Sequence, residues 1–341
     1  MPTSWFLKPG DGIESLTRRE EPQASPGPGE VRVSMRAHSL NARDLMIASG
    51  QSPLPAAPEL TPLSDGAGVV DAVGKGVTRV AVGDRVVVTF NPAHQTGAYE
   101  PYMELSALGG VSQGLLRQEA ILDQMAVVPL PDSVTFEQAA CLPCTGVVAW
   151  NALFETASLK PGQTVLATGT GNVSLVAVAL ARAAGARVGV TSSDEAKLDR
   201  ARTVGAHFGV NYATHPEWDA KVRGVTLGRG ADVVVETAGP PSVATSVRAA
   251  AQGGTVAQIG FKGVDGPAVQ MFDLLMGGVS LRPVMVGSRA MLERLVAAVA
   301  ANDVHVPVHS THGFDEAPDA FHVFMSGESF GKVVIAHGEE L

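Results

Sequence analysis

Gly169 and Gly171 lie between an apolar run, Thr164-Val165-Leu166-Ala167, and an Ala-rich helical stretch over 175–184. That arrangement suits a phosphate cradle. Gly169 permits a tight turn and Gly171 lets the backbone approach a pyrophosphate. Asn172 and Val173 then open a helix whose first N–H groups are free and lie at the positive end of its dipole. Ser174 occupies the third position of the fingerprint, where Gly or Ala is usual. The expected ligand is a dinucleotide; a Gly-rich turn with no ligand is the alternative. Two cysteines, Cys141 and Cys144, form a CxxC at the start of a helical stretch. With no second CxxC and no thioredoxin-like context, they read as packing residues rather than a redox or metal pair.

The choice between cofactors falls at the end of the next strand. An NAD site wants a carboxylate there, about 20 residues after the glycines, to hold the ribose 2′-hydroxyl. Here the chain reads Thr191-Ser192-Ser193-Asp194, then Lys197. Ser192, Ser193 and Lys197 suit a 2′-phosphate, so NADPH is expected and NADH is the alternative. Asp194 counts against this unless it is only the carboxylate of a helix N-terminus.

These residues need a sheet to position them. Strands are expected at 187–191, 206–211, 231–236, 255–260 and 279–286, with helical patterns between most of them. Near-continuous Val, Ile and Leu strands that alternate with helices predict a parallel sheet covered on both faces. The loops that end the later strands, at Gly239, Gly260-Phe261 and Val286, should line the cofactor. The first 125 or so residues read differently. Strand-like stretches at 30–37, 68–73 and 85–89 are separated by Gly, Pro and Asp turns, which predicts an antiparallel, barrel-like β domain. Residues 91–117 are Gly-rich and irregular, either a lobe over the active site or a mobile surface loop. Helices are expected over 136–154, 290–301 and 316–325, and strands over 305–310 and 332–337.

At 341 residues the chain is long enough for two cores. Its net charge of −9 comes without a basic stripe, so nucleic acid is not an expected partner. No apolar run reaches membrane-spanning length, and the N-terminus lacks the blocks of a signal peptide. A cytoplasmic protein acting on a small molecule is expected.

Taken together, Pro28-Gly29-Glu30-Val31, Asn41-Ala42-Arg43-Asp44, Asp65-Gly66-Ala67-Gly68, Val82-Gly83-Asp84-Arg85, the glycine turn and Phe330-Gly331-Lys332-Val333 fall in a known order. In that order the chain resembles the medium-chain dehydrogenases/reductases, and most of all their zinc-free quinone (enone) oxidoreductase branch, over almost its whole length. The resemblance implies an α/β protein in which a GroES-like β domain (1–128 and 288–341) carries an inserted Rossmann domain (129–287). It also implies a nicotinamide cofactor in the interdomain cleft, with Tyr212 flanking a 2′-phosphate and Phe330, Gly331 and Lys332 closing on it. A homodimer paired through the apolar 279–286 edge is implied as well.

Counting motif to motif, the positions that hold catalytic zinc in the family's alcohol dehydrogenases are Asn41, Ser64, Cys144 and Asp65 here. That set is a poor zinc site, and no metal is expected. Asn41, Ser64 and Asp65 become the candidate catalytic residues. The structural alternatives are an Asx turn at Asn41 and a turn Asp before Gly66 at Asp65. Asp44 is expected to be structural, and Arg43 either reaches the substrate or is solvated. Val148 departs from the usual Thr near the nicotinamide. Tyr99, Tyr102 and solvent remain open as proton sources. Without a metal to polarise an unactivated alcohol, the expected reaction is hydride transfer to a conjugated enone or quinone. The alternatives are a carbonyl or alcohol dehydrogenase, a dedicated biosynthetic reductase, or a cofactor-binding protein without turnover.

Overall fold

Alternating apolar residues build the central strand of the first half of the molecule. In Glu30–Ser39, Val31, Val33, Met35 and Ala37 are fully buried while the intervening side chains are partly exposed, the period of two of a one-faced strand. In this computed structural model, which describes residues 1–261, 263 and 265–338 (Glu104 by its backbone alone), that strand organises a seven-stranded sheet. The sheet runs Val308–Gly313, Lys332–Ala336, Glu30–Ser39, Asp65–Val73, Arg85–Val88, Val127–Pro129, and Glu119–Asp123 also pairs with Glu30–Ser39. All its pairings are antiparallel except that between the two C-terminal strands. The register sets Ser39 opposite both Asp65 and Val334. Residues from three distant stretches are thereby brought to one end of the sheet.

The second sheet has six parallel strands: Phe208–Asn211, Arg187–Ser192, Thr164–Ala167, Ala231–Glu236, Ala250–Gln258 and Ser280–Pro283. In chain order the spatial sequence is third, second, first, fourth, fifth, sixth, the doubly wound order in which a crevice opens between the first and fourth strands. Val165, Leu166, Val188, Val190, Val233, Val234 and Val256 are all buried, as a sheet covered on both faces requires. No helix among the described residues is long and apolar enough to cross a membrane.

The chain divides into two compact units. One comprises Met1–Val147, Gly287–Asp303 and the described residues from Val308 onward; the other comprises Val148–Val286 and Val304–Pro307. Residues 129–147, expected in the nucleotide-binding half, pack in the first unit instead. There the helix Phe136–Ala140 lies against Glu30–Ser39 and Asp65–Val73, with Ser39 Oγ donating to the Ala140 carbonyl at 2.8 Å. The irregular 91–117 stretch is not a loose surface loop. Leu108, Leu115 and Leu116 are buried, and Leu115 N donates to Leu63 O at 2.8 Å. A Cβ at Gly114 would lie only 2.3 Å from that same Leu63 oxygen, so the glycine lets the segment pack backbone to backbone.

Candidate cofactor cradle and buried charge cluster

In the second unit, Thr164–Ala167 ends in the glycine turn, and the helix Asn172–Ala183 begins at once. Gly169 has φ +79°, a conformation costly for any residue with a side chain. Gly171 caps the helix without a side-chain hydrogen bond, so the first-turn N–H groups have no side-chain acceptor. A Cβ built on Gly171 would meet nothing within 4 Å. The turn therefore leaves open space where a diphosphate would sit. Ser174 is fully buried, and its hydroxyl donates to Thr168 O (2.8 Å) while pairing with Thr237 Oγ1 (2.8 Å). A serine is tolerated at this packed position because its hydroxyl is satisfied.

Beneath the turn lies Glu236, fully buried at the end of the fourth strand. Its Oε1 accepts from Thr168 Oγ1 (3.1 Å), Ala238 N (2.8 Å), Gly239 N (3.0 Å) and Ser242 Oγ (2.7 Å), and its Oε2 accepts from Ser246 Oγ. One carboxylate thus joins the glycine turn to the loop at Gly239 and to the helix Pro240–Ala249 that follows. Sequence reasoning passed over Glu236. The available signal was a carboxylate closing an otherwise apolar strand, Val233-Val234-Val235-Glu236.

At the end of the second strand, Asp194 Oδ1 accepts Ala196 N (2.8 Å) and Lys197 N (3.3 Å), making it the N-cap of Glu195–Val204. Its carboxylate is used on its own helix. Ser192 is buried and its hydroxyl accepts Asp194 N (3.2 Å), while Ser193 is exposed and Tyr212 is 44% exposed. Gly260 sits so close to the neighbouring loop that a Cβ there would lie 2.1 Å from Thr237 O. Phe261 is exposed and Val286 half-buried.

The first unit holds a different site. The Lys332 side chain is wholly buried, and its ammonium donates to Leu40 O (2.7 Å), Asn41 Oδ1 (2.7 Å) and Thr145 Oγ1 (3.3 Å), with Asp65 Oδ2 at 3.7 Å. Asp65 Oδ1 accepts from Ser64 Oγ (2.8 Å), and Oδ2 lies 3.4 Å from both Ser39 Oγ and Cys144 N. Thr145 Oγ1 donates to Asn41 Oδ1 at 3.0 Å. Cys144 and Thr145 reach the cluster from a π-helical turn, Leu142–Gly146, in which Pro143 has no N–H to give a regular helix.

Asn41, Ser64 and Asp65, the candidate catalytic residues, are therefore brought together, and all are buried. The ammonium of Lys332, expected to close on the cofactor, lies inside this cluster. Phe330 and Gly331 are buried beside it in sequence, within the first unit. Thr145 and Ser39 were not foreseen: Ser39 reaches the cluster through strand register, and Thr145 through the π-helical turn.

The electrostatics follow from burial. Asp44 Oδ2 accepts the Asn41 backbone N–H (2.7 Å), capping Ala42–Ala48. Burial pushes the Asp44 carboxyl up to about 6, with Arg43 opposing. Burial drives the Cys144 thiol far above its ordinary value, and Asp65 adds to the effect. Cys141 is pushed up to about 12 by the same cause. Arg43 points its guanidinium at Leu108 O (2.7 Å) and the face of Phe90 (4.9 Å), bracing the 91–117 segment.

The donor set does not suit zinc. An ammonium already lies among Asn41, Asp65 and Thr145, and Cys144 is the one sulfur beside an amide, a hydroxyl and a carboxylate, whereas zinc prefers several thiolates and imidazoles. No three His, Cys, Asp or Glu residues that could hold a metal come together among the described residues.

Residues 172–301 match the zinc-binding dehydrogenase family, and residues 27–132 match the alcohol dehydrogenase GroES-like domain family. A zinc-type alcohol dehydrogenase-like protein of Schizosaccharomyces pombe is 38% identical over 314 residues, covering 90% of this chain and 91% of the relative. The quinone oxidoreductase of Pseudomonas aeruginosa is 32% identical, covering 95% and 96%. The solved structure of an NAD-dependent alcohol dehydrogenase superposes with a TM-score of 0.88 at 31% identity, covering 99% of this chain and all of the other. With two family matches in the expected order and full-length relatives at this identity, the chain belongs to the medium-chain dehydrogenase/reductase superfamily of oxidoreductases.

Proposed function

We propose that this protein is a zinc-independent, NADPH-dependent reductase of conjugated enones or quinones. The observation that carries the proposal is the Lys332 ammonium, which lies among Asn41, Asp65 and Thr145; Asn41 and Asp65 are two of the positions that the sequence resemblance assigns to catalytic zinc in the alcohol dehydrogenases. The buried Lys332 ammonium already places a positive charge beside Asp65, which opposes a metal cation at the same carboxylate.

The glycine turn and the Asn172–Ala183 N-terminus would hold the cofactor's diphosphate, and Ser192, Ser193 and Lys197 its 2′-phosphate. Asp194 supports this assignment because its carboxylate is engaged in capping rather than offered to a ribose. A bound dihydronicotinamide supplies the hydride. In an enone the hydride adds to the β-carbon and the C=C electron pair shifts toward oxygen. The resulting enolate then takes a proton, from water, at the α-carbon. The protein must stabilise charge on that oxygen. Asn41 Nδ2 is a buried N–H donor with no partner among the described residues, and it can do so by hydrogen bonding. Conjugation makes such a donor sufficient, whereas an unactivated alcohol would need a metal to lower its pKa.

A second reading, oxidation of alcohols or reduction of simple carbonyls with NAD(H), is favoured by the solved relative named an NAD-dependent alcohol dehydrogenase. Cofactor oxidation with paired acceptors separates the two. Faster turnover of quinones and enones than of the matching saturated carbonyls, with NADPH preferred over NADH, supports the proposal. Faster turnover of alcohols or saturated carbonyls would refute it.

We also propose a homodimer through the edge strand Ser280–Pro283. Around that strand, Met271, Phe272, Leu275, Met276 and Met285 are exposed, an apolar patch suited to a second copy.

A further inference from the structure

Asn41 contributes its two amide atoms unequally. Oδ1 receives two donors, the Lys332 ammonium at 2.7 Å and the Thr145 hydroxyl at 3.0 Å. Nδ2 is buried and has no acceptor among the described residues. Amide orientation is often ambiguous because oxygen and nitrogen look alike. Here the chemistry removes the ambiguity, since an ammonium has three donors and no acceptor capacity. Only Oδ1 can face Lys332. Thr145 reinforces this. Its oxygen accepts from Lys332 at 3.3 Å, so its own proton is directed to Asn41 Oδ1. The ammonium is itself held by Leu40 O at 2.7 Å and by Asp65 across 3.7 Å. A buried amide N–H without an acceptor is costly, and such an orphan calls for an explanation.

We infer that Lys332 is a positioning residue. Its ammonium locks the Asn41 amide in the one orientation that presents Nδ2 as a donor to the substrate oxygen. The inference rests on the enone/quinone reading for the identity of that oxygen. It does not rest on that reading for the amide's orientation. Lys332 acts through Asn41 and Thr145 and need not touch substrate.

A double-mutant cycle in the full-length protein with NADPH bound tests the coupling. Asn41→Ala and Lys332→Met should each lower kcat/KM for an enone by roughly tenfold or more, with the dissociation constant of NADPH changed by less than about twofold. The double variant should be no worse than the poorer single variant, because both remove the same hydrogen bond. Should Lys332→Met alone fail to fold, Lys332→Met combined with Asp65→Asn removes both charges together and serves in its place. A second readout needs no turnover: the Asn41 side-chain amide resonances, assigned by their loss in Asn41→Ala, should shift and exchange faster in the Lys332 variant. Multiplicative loss in the cycle, or unchanged Asn41 amide resonances, would overturn the inference. If the wild-type protein turns over no enone or quinone, the functional reading fails while the amide resonances still decide the role of Lys332.

Discussion

The two candidate regions each bury a charge, and they solve that problem in opposite ways. Beneath the glycine turn, Glu236 is surrounded by uncharged donors: two backbone N–H groups and the hydroxyls of Thr168, Ser242 and Ser246. In the first unit, Asp65 and Lys332 answer each other across 3.7 Å, with Ser64, Asn41 and Thr145 completing the shell. A carboxylate solvated by neutral dipoles can be replaced by a neutral isostere. A buried ion pair cannot lose one member without leaving the other stranded. The first arrangement ties the glycine turn to the loop at Gly239. The second keeps a cation buried beside Asp65 and Asn41.

The largest effect should come from breaking the ion pair on one side. Lys332→Met strands Asp65 and should lower the unfolding free energy by about 3–5 kcal/mol, read by urea denaturation. Adding Asp65→Asn should restore most of it. A single variant as stable as wild type would mean that Asp65 does not need the ammonium. Glu236 should behave differently. Glu236→Ala leaves several buried donors unpaired and should cost about 2–4 kcal/mol, whereas Glu236→Gln should stay within about 1 kcal/mol of wild type in the same measurement. Equal losses for Ala and Gln would erase the proposed contrast between the two regions.

Gly171 separates ligand binding from folding. Its backbone lies at φ −79°, ψ 175°, which any residue adopts, and nothing crowds its Cβ. Gly171→Val should leave the melting temperature within about 2 °C while weakening NADPH binding by roughly tenfold or more, as titration calorimetry would report. Unchanged affinity would show that the open space is not used by the cofactor.

The smallest effect concerns Asp44, whose carboxyl is raised by burial to about 6. An acid with a raised pKa binds its proton more tightly when folded. Its contribution to stability is therefore full below its ordinary value near 4 and is lost as pH rises through about 6. Asp44→Asn keeps an acceptor for the Asn41 N–H and should raise the melting temperature by a few degrees at pH 8, with the gain vanishing toward pH 4. A gain that instead grows toward low pH would contradict the sign.

The same contrast decided what could be read from the sequence. The glycine turn is contiguous, and its strand, its two glycines and its helix stand within twenty residues, so the chain order alone declared it. The strand 231–236 was expected as Ala231–Glu236 and is found so. Edges fared worse. The fifth strand starts at Ala250 rather than near 255, because Ala250 pairs with Ala231; a register shift then leaves Gly253-Gly254 out of the ladder, which resumes at Thr255. The buried cluster draws on 39–41, 64–65, 144–145 and 332. Motif counting against a family brought Asn41, Ser64, Asp65 and Cys144 together, but nothing local to Gly331-Lys332-Val333 shows that Lys332 points inward to Asn41, 291 residues away. That contact is a product of sheet register, and register is not written in any one segment.

In the proposed function a lysine cation, not zinc, serves this site. This is tested most directly by measuring NADPH-dependent enone or quinone reduction on protein whose metal content has been determined before and after exhaustive chelation. Activity should be unchanged by chelation and should not track zinc content. Activity that disappears with the metal and returns on adding zinc would contradict the proposal.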